Sequence, residues 1–239
     1  MHSANCSMYN HLMPIDFYEI RVCNTCGLRY PLVDVETFGI RCPACLGETR
    51  VMLRVSRKPV TEPRRGLPES SHREDIENAK NLNEEGMKEE RRELAVLLDN
   101  IRSAWNVGSI LRSAEGFGFA HAYLCGITPT PENDTVQKTS LGAQDSVTWS
   151  YHKDALKLVS DLKKEGQRIL ALEEEDRAVE VSRIGLTTYQ TVLIVGNEVT
   201  GVDPEVLDLC DTTYFIPMHG EKRSFNVAIA FGIAAYALR

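Results

Sequence analysis

The stretch Thr191-Val-Leu-Ile-Val-Gly-Asn-Glu-Val-Thr-Gly201 joins an apolar run to a polar loop flanked by glycines. A short apolar, β-branched run such as Thr191–Val195 predicts a strand that is buried on both faces, as in a parallel sheet. The run Leu94–Leu98 before Asn106-Val-Gly-Ser-Ile-Leu-Arg112 and the run Tyr214–Ile216 before Pro217-Met-His-Gly220 have the same character. Polar, glycine-flanked residues therefore follow the ends of three strands, which is where open α/β sheets bind ligands.

Strands and helices alternate after Glu93, which predicts an α/β fold with a mostly parallel sheet and helices on both faces. The predicted strands are Leu94–Asp99, His121–Gly126, Val147–Tyr151, Arg168–Glu173, Thr191–Val195 and Thr213–Ile216. The predicted helices are Val107–Phe117, Lys153–Glu165, Pro204–Cys210 and Phe225–Leu238.

The composition is that of an ordinary globular protein, with 43% hydrophobic and 26% charged residues among 239. No apolar stretch reaches the roughly 20 residues that cross a bilayer, and the N-terminus lacks the pattern of a signal peptide. We therefore expect a cytoplasmic protein with reduced thiols. The net charge of −7 gives no general attraction to nucleic acid, so any RNA binding must depend on local basic patches.

Three units are predicted along the chain. Residues 15–58 form a small cysteine-bearing unit with strands at Phe17–Val22, Phe38–Arg41 and Arg50–Val55. Residues 59–92 are a charged linker with almost no large apolar residue, helical in part from Arg73 to Arg92. Residues 93–239 carry the alternating strands and helices.

Two CxxC pairs, Cys23-Asn-Thr-Cys26 and Cys42-Pro-Ala-Cys45, have the spacing of a four-cysteine zinc site. Because four thiolates complete a tetrahedral shell, the predicted zinc is structural and not catalytic. The remaining cysteines have no partner at ligand spacing: Cys6, Cys125 and Cys210.

The role of this predicted zinc ribbon stays open between contact with RNA, contact with a protein, and a scaffold for the N-terminus. Several of its side chains supply positive charge or stacking surface: Arg21, Arg29, Arg41, Arg50, Arg54, Arg57, Tyr30 and Phe38. Deleting residues 1–60 is expected to weaken RNA binding and to leave cofactor affinity nearly intact; unchanged RNA affinity would reduce the ribbon to a scaffold.

The loop Gly196–Gly201 is similar to a phosphate loop, but Val202-Asp203 stand where such a loop needs Lys-Ser/Thr. No GxGxxG opens a helix, which disfavours a dinucleotide enzyme. Glu198 fits either an exposed loop position or a ligand contact. Arg112 fits a surface arginine or an anion clamp, and Ser224 fits a simple helix N-cap as well as a site residue.

Taken together, the three blocks resemble the SpoU (TrmH-like) branch of the SPOUT RNA methyltransferases across residues 93–239. Members carry Asn-x5-Arg, then Gly-Asn-Glu-x-x-Gly, then Ile-Pro-Met-x-Gly followed by Ser-Leu-Asn-Val. This chain has Asn106 to Arg112, Gly196 to Gly201, and Ile216 to Asn226 in the same order. It departs at Phe225, where Leu is usual, and at Val199, where many members have Gly.

The resemblance implies a C-terminal trefoil knot, a homodimer, and S-adenosylmethionine as cofactor. It implies a reaction in which a methyl group is transferred to a ribose 2′-hydroxyl of tRNA or rRNA. The catalytic set implied is Asn106, Arg112, Glu198, Ser224 and Asn226, and the cofactor set implied is Gly196, Ile216, Met218 and Phe225. Arg112 is either the base or a stabiliser of charge; since a guanidinium stays protonated, charge stabilisation is physically easier.

Two other functions remain as alternatives. One is a non-catalytic RNA-binding or assembly protein with a degenerate domain of this kind, which the retention of all five polar positions disfavours. The other is an unrelated nucleotide-binding enzyme with a phosphate loop, which the missing lysine disfavours.

Overall fold

The computed structural model describes residues 17–33, 40–56, 93–185 and 190–239, which form two separate sheets. The smaller sheet is antiparallel, and its strands are β1 (Phe17–Cys23), β2 (Arg29–Leu32) and β3 (Thr49–Ser56), in the order β2-β1-β3. Cys23, Leu28, Tyr30, Leu32 and Cys42 form its small buried core.

The larger sheet has seven strands, and every neighbouring pair in it is parallel. The strands are β4 (Leu94–Asp99), β5 (His121–Cys125), β6 (Thr148–His152), β7 (Arg168–Leu172), β8 (Val179–Glu180), β9 (Thr191–Gly196) and β10 (Thr212–Phe215). Their order is β6-β5-β4-β9-β7-β10-β8. The predicted parallel α/β sheet is confirmed, and its adjacent strands β4 and β9 contain two of the three apolar runs that precede polar loops in the sequence.

Six helices accompany this sheet in the described part of the chain. They are α1 (Ala104–Gly116), α2 (Asp134–Ser140), α3 (Ala143–Ser146), α4 (Ala155–Lys164), α5 (Pro204–Leu207) and α6 (Val227–Ala237). A short 3-10 helix at Val181–Arg183 follows β8.

Helices cover both faces of the sheet, as the sequence predicted. On β4, Leu94, Val96 and Leu98 belong to the core that includes α1 and α6. The alternate residues Ala95 and Leu97 belong to a second core, which includes α4 and α5. Because successive side chains of a strand point to opposite faces, a strand that is covered on both sides must be apolar throughout.

The predicted strands of the large sheet all lie within one residue of their observed bounds, but two helices between β5 and β6 were missed. In α2 only Val136 and Ser140 are buried, so the segment has no apolar repeat at helical spacing. Its start is defined by Asn133, whose side chain accepts a hydrogen bond from the Thr135 N–H at 2.9 Å.

Two further expectations differ from the structure. The last helix begins at Val227, two residues later than predicted, because Asn226 forms its N-cap. The strand predicted at 38–41 does not form over its described part: Ile40 is in a bend, and Arg41 makes only an isolated bridge with Glu48. The predicted linker helix and Cys6 lie outside the described residues.

The described helices include none that combines the length and apolar character needed to cross a bilayer.

Candidate functional site

Three loops leave the carboxyl ends of β4, β9 and β10 and meet at one edge of the parallel sheet. The first leads into α1, the second contains Gly196–Gly201, and the third runs from Ile216 to Asn226 before α6. Since β4 and β9 are hydrogen-bonded neighbours, Asp99 lies beside Gly196 in the register. The three sequence blocks therefore converge, as the strand-end pattern predicted.

Glu198 connects the second loop to the first. Its Oε2 accepts a hydrogen bond from the Arg102 N–H at 2.9 Å, and its Oε1 accepts one from the Ser103 N–H at 3.1 Å. Oε1 also accepts the Asn106 Nδ2 donor at 2.9 Å. Burial alone would raise the pKa of Glu198, but these hydrogen bonds outweigh it and hold the pKa below its ordinary value. Glu198 is therefore an ionised group that fixes the start of α1.

Asn106 connects the first loop to the third. With its Nδ2 committed to Glu198, its Oδ1 accepts a hydrogen bond from Asn226 Nδ2 at 3.0 Å. The Oδ1 of Asn226 in turn accepts the Ala228 N–H at 2.9 Å, which caps α6. Asn226, and not Ser224, is thus the N-cap. The three predicted residues Glu198, Asn106 and Asn226 form one hydrogen-bonded chain, which we call the polar relay.

The loop Gly196–Gly201 is closed on itself by backbone bonds. Asn197 and Gly201 exchange N–H···O=C hydrogen bonds at 3.1 and 2.9 Å. The Asn197 Nδ2 donates to the Asn100 carbonyl at 2.7 Å and so ties the loop to the end of β4. A Cβ on Gly196 would lie 2.2 Å from the Val202 nitrogen, so no larger residue fits there. The glycines of this loop serve its tight closure.

Arg112 and Ser224 are not part of the polar relay. Arg112 is exposed on α1, and it donates no hydrogen bond to a described residue. Ser224 is exposed in the third loop and likewise has no hydrogen-bond partner in the described part of the chain. Of the five predicted catalytic residues, three are joined to one another, and the other two are exposed to solvent.

The third loop also holds three of the four predicted cofactor residues. Ile216 and Met218 are half-buried, and the Phe225 side chain is 40% exposed. From Pro217 to Phe225 no backbone group bonds to the backbone of another described residue. These peptide groups can therefore bind a ligand without first breaking a protein hydrogen bond, which fits a cofactor held largely by main-chain atoms.

An acidic pair lies directly behind the second loop. Asp99 Oδ2 accepts the Asp203 N–H at 3.0 Å, and both carboxylates are buried. Burial raises the pKa of Asp99 to about 7, against the opposing effect of the hydrogen bond from Asp203. The Asp203 side chain caps α5 through the Glu205 N–H at 3.0 Å.

A cluster of four thiols in the small sheet could hold a metal ion. The Sγ atoms of Cys23, Cys26, Cys42 and Cys45 all lie within 4.8 Å of one another. The Cys23–Cys45 and Cys26–Cys42 sulfur distances are 3.5 and 3.6 Å. Zinc–sulfur bonds of about 2.3 Å in a tetrahedron would place the sulfurs about 3.8 Å apart. The N–H groups of Cys26 and Thr25 donate to the Cys23 sulfur and lower the pKa of that thiol to about 6, which favours the thiolate that metals bind.

The arginines of this small unit divide into buried and exposed groups. Arg21 is buried and bonds to Glu19 and Thr49, while Arg29 is buried against the large domain. Tyr30 is buried in the small core. These three side chains are therefore not part of a surface for RNA, in contrast to the expectation from sequence. The exposed arginines of the described residues in this unit are Arg41, Arg50 and Arg54.

Sequence reasoning missed four residues that shape the site: Asp99, Asn100, Asp203 and Arg29. Asn100 has φ +57°, and its Oδ1 accepts the Ile127 N–H at 3.1 Å. An Asn directly after a buried strand is a recognisable sign of such a left-handed position. The pairing of Arg29 with Asp203 spans 174 residues of sequence, and no local pattern could reveal it.

Comparison with known proteins agrees with this architecture. Residues 93–236, more than half of the chain, match the model of the SpoU rRNA Methylase family. The chain belongs to this family. It is 30% identical over 144 residues to the tRNA (guanosine(18)-2′-O)-methyltransferase of Escherichia coli, covering 60% of this chain and 62% of that protein. It is 31% identical over 146 residues to a 23S rRNA (guanosine-2′-O-)-methyltransferase of Xanthomonas axonopodis, covering 61% of this chain and 57% of that protein.

A solved structure with the same fold is that of the SpoU methyltransferase AviRb from Streptomyces viridochromogenes in complex with the cofactor AdoMet. The two chains superpose with a TM-score of 0.57 at 25% sequence identity, over 62% of this chain and 59% of that one. The chain thus spans about three fifths of the length of these two curated relatives.

Proposed function

We propose that this protein is an S-adenosylmethionine-dependent RNA methyltransferase that methylates a ribose 2′-hydroxyl of tRNA or rRNA. The observation that carries the proposal is the polar relay, because it holds the three loops of this family together at the ligand-binding edge of the sheet. The names of the curated relatives and the AdoMet-bound SpoU structure support it.

Some residues of the site position its loops, and others would contact the cofactor or the RNA. Bound S-adenosylmethionine supplies an activated methyl group, so the protein has mainly to align an attacking oxygen with it. Glu198, Asn106 and Asn226 satisfy one another and therefore position the loops. Glu198 is a poor proton acceptor because its oxygens already receive three hydrogen bonds and its pKa is lowered. Gly196 and the third loop, with Ile216, Met218 and Phe225, would hold the cofactor.

Arg112 and Ser224 are the groups left to touch the substrate. Both are exposed and unpaired among the described residues, so neither has to give up a protein partner to bind RNA. The guanidinium of Arg112 would stabilise the negative charge that develops on the attacking oxygen, with a nearby phosphate taking the proton. Ser224 would contact the target ribose from the third loop.

Methyl transfer from labelled S-adenosylmethionine to separate pools of unmodified tRNA and rRNA tests the proposal. We expect 2′-O-methylnucleoside in one pool, which also identifies the substrate class. Cofactor binding without label in either pool would direct the search to precursor or ribonucleoprotein substrates. Absence of both label and cofactor binding would favour the alternative of a non-catalytic RNA-binding or assembly protein.

We also propose that the four cysteines bind one structural zinc ion. The sulfur separations are close to those of a tetrahedral site, and four thiolates leave no open position for chemistry. Such a site needs reduced thiols, in line with the cytoplasmic location predicted from the sequence. Arg41, Arg50 and Arg54 around this unit are the exposed charges that would contact RNA phosphates.

A homodimer is the form in which we expect the protein to act. No residue of α6 is charged and all but Gly232 and Tyr236 have purely apolar side chains, as expected for a helix covered on all sides, yet Ile229 and Tyr236 are 56% and 74% exposed. Tyr236 contacts Phe117 at the end of α1, and Trp105 at the start of α1 is 66% exposed. A second copy of the chain would cover this apolar face. Light scattering would detect the dimer, and Ile229→Glu should yield a monomer.

The family resemblance further leads us to propose that the C-terminal part is threaded as a trefoil knot. The strand order is compatible with this, since β9 lies between β4 and β7, and α6 packs back onto both α1 and the strands β7 and β9.

A further inference from the structure

The small four-cysteine unit is joined to the large domain by a buried ion pair. Arg29, in β2 of the small sheet, donates from Nε to Asp203 Oδ2 at 2.7 Å and from Nη2 to Glu205 Oε2 at 2.5 Å. The Arg29 and Asp203 side chains are each only 3% exposed. The backbone takes part as well, because the Arg29 N–H donates to the Lys153 carbonyl at 2.9 Å.

Asp203 connects this contact to the site. It ends the segment that begins with the closed loop Gly196–Gly201, and its N–H donates to Asp99 at the end of β4. Two buried carboxylates therefore lie side by side behind the loop, and Arg29 is the cation that faces them. A buried charge without its partner is strongly unfavourable, so this pair of carboxylates depends on Arg29.

Arg29 in turn depends on the cysteine cluster. Leu28, its neighbour, is packed in the small core with Cys23 and Cys42, and the Cys23 N–H bonds to the Leu28 carbonyl at 2.9 Å. The hydrophobic cluster around Leu28 contains five buried residues, two of which are cysteines of the four-thiol cluster, and Tyr18 and Ile20 are the other buried apolar side chains described in this unit. So small a core is insufficient to hold β2 in place without a metal or another cross-link.

We propose that Arg29 is a positioning residue that makes metal occupancy of the four-cysteine unit control the geometry of the Gly196–Gly201 loop, and hence cofactor affinity. The small unit is then a structural part of the methyltransferase site and not a separable RNA-binding attachment. This replaces the expectation that removal of residues 1–60 leaves cofactor binding intact. The inference rests on the proposed function in two respects, namely that the loop binds the cofactor and that the four cysteines bind a metal ion.

Three full-length variants test the link, with S-adenosylhomocysteine affinity measured by calorimetry. Arg29→Met removes the charge but keeps the length of the side chain, and we expect cofactor affinity to fall at least about five-fold, the lower end of typical coupling between sites. Arg29→Lys should recover part of this loss, because it restores the charge facing Asp203. Arg54→Met is the matched control: it removes an arginine of the same unit that pairs with Glu19 but is 72% exposed, and cofactor affinity should stay as in the wild type.

A double-mutant cycle gives a readout that does not depend on the cofactor. Asp203→Asn retains the side-chain oxygen that caps α5, so Arg29→Met and Asp203→Asn can be combined without losing that cap. We expect the double variant to melt at a higher temperature than the sum of the two single effects predicts, since neither Arg29 nor Asp203 is then left as a buried charge facing a lost partner. Glu205, the second partner of Arg29, is 43% exposed and keeps its charge in the single and the double Arg29→Met variants alike. Additive effects would mean that the two side chains are not coupled.

Metal removal completes the test. In the wild type, chelation of the metal should weaken S-adenosylhomocysteine binding, whereas in Arg29→Met it should cause little further loss. An equal loss in both proteins would overturn the proposed route through Arg29, as would wild-type affinity in Arg29→Met. Failure of the metal-loaded wild type to bind the cofactor at all would instead contradict the proposed function, and the double-mutant cycle would still report on the Arg29–Asp203 pair.

Discussion

The side-chain amide of Asn226 donates a 3.0 Å hydrogen bond to Oδ1 of Asn106, a residue 120 positions earlier in the chain. The orientation of the Asn106 amide is fixed by Glu198, whose ionised carboxylate can only accept. The Glu198 carboxylate on the second loop therefore fixes the orientation in which Asn106 of the first loop accepts the hydrogen bond from Asn226 of the third. The start of α6 is set by this arrangement, because Asn226 is also its N-cap.

Replacing Asn226 by alanine should lower the rate of methyl transfer by more than the accompanying loss of protein stability can explain. The variant loses the cap of α6, worth about 1 kcal/mol, and also the hydrogen bond that positions the third loop. Asn133→Ala is the control, since Asn133 caps α2 in the same way but lies outside the site. We expect similar losses of melting temperature in both variants and a loss of transfer in Asn226→Ala alone. Equal transfer rates in Asn226→Ala and Asn133→Ala would show that Asn226 has no role in the reaction.

Arg112→Ala should abolish transfer and leave cofactor affinity unchanged. Arg112 is exposed and has no hydrogen-bond partner among the described residues, so its removal costs little stability. Loss of a group that stabilises developing charge typically slows a reaction about 100-fold to 1,000-fold. Single-turnover transfer and calorimetric cofactor binding separate the two effects. Lys157→Ala, an exposed cation on α4, should behave as the wild type; near-normal turnover of Arg112→Ala would contradict the assigned role.

Stability should fall with rising pH because of Asp99. Burial and the nearby Asp203 carboxylate raise the folded-state pKa of Asp99 to about 7, while Arg29 and hydrogen bonds from the Asp203 N–H and Asn100 oppose the rise. The ordinary value for Asp is about 3.9, so the folded state holds this proton more tightly. The stabilisation is complete below about pH 4 and is lost as the pH rises through 7; between pH 6 and 8.5 the loss is on the order of 1 kcal/mol.

Denaturant unfolding of the metal-loaded protein at pH 6 and 8.5 measures this effect. His121 and His152 act in the opposite direction. Burial lowers the pKa of each imidazole in the folded state, so their contribution to the free energy of unfolding increases as the pH rises. The relevant quantity is therefore the change in the free energy of unfolding between pH 6 and 8.5, compared between the wild type and Asp99→Asn, which lacks the titrating group. An identical pH dependence in the two proteins would show that Asp99 does not titrate in this range.

The four-cysteine cluster should bind one zinc ion per chain, and Cys42→Ser should release it. Cys42 is fully buried in the small core, so its replacement should also lower the melting temperature. Cys210→Ser is the matched control, because Cys210 lies in the large domain, where its thiol donates a hydrogen bond to the Val206 carbonyl. Metal content measured by atomic emission should fall in the first variant alone. Full zinc content in Cys42→Ser would rule out four-thiolate binding.

The sequence predicts the large sheet well because its strands are continuous apolar runs. Leu94–Asp99 and Thr191–Gly196 are buried at every residue, and such runs need no tertiary information to be recognised. The convergence of Asn106, Glu198 and Asn226 is likewise predictable, since all three follow or flank strand ends of one parallel sheet. The helix at Asp134–Ser140 is not predictable in this way, because only two of its residues are buried and they form no repeat of apolar side chains at helical spacing.

Long-range polar pairs are what the sequence conceals. Arg29 has the appearance of a surface charge of a basic unit, and only the three-dimensional structure places it against Asp203. Asp99 has the appearance of a polar residue that ends a strand, and its raised pKa depends on a neighbour 104 residues away. Electrostatic partners leave no local pattern, whereas apolar burial does.

The position of β9 has a consequence for how the chain reaches this structure. β4 pairs with β5 on one side and with β9 on the other, and its partner on the second side comes about 100 residues later in the sequence. Until that segment arrives, a strand with five consecutive apolar residues, Leu94–Leu98, presents an open edge on which other chains can add. Folding should therefore be slow and prone to aggregation at an intermediate stage, so that chaperones, and not only the final stability, determine how much active protein a cell obtains.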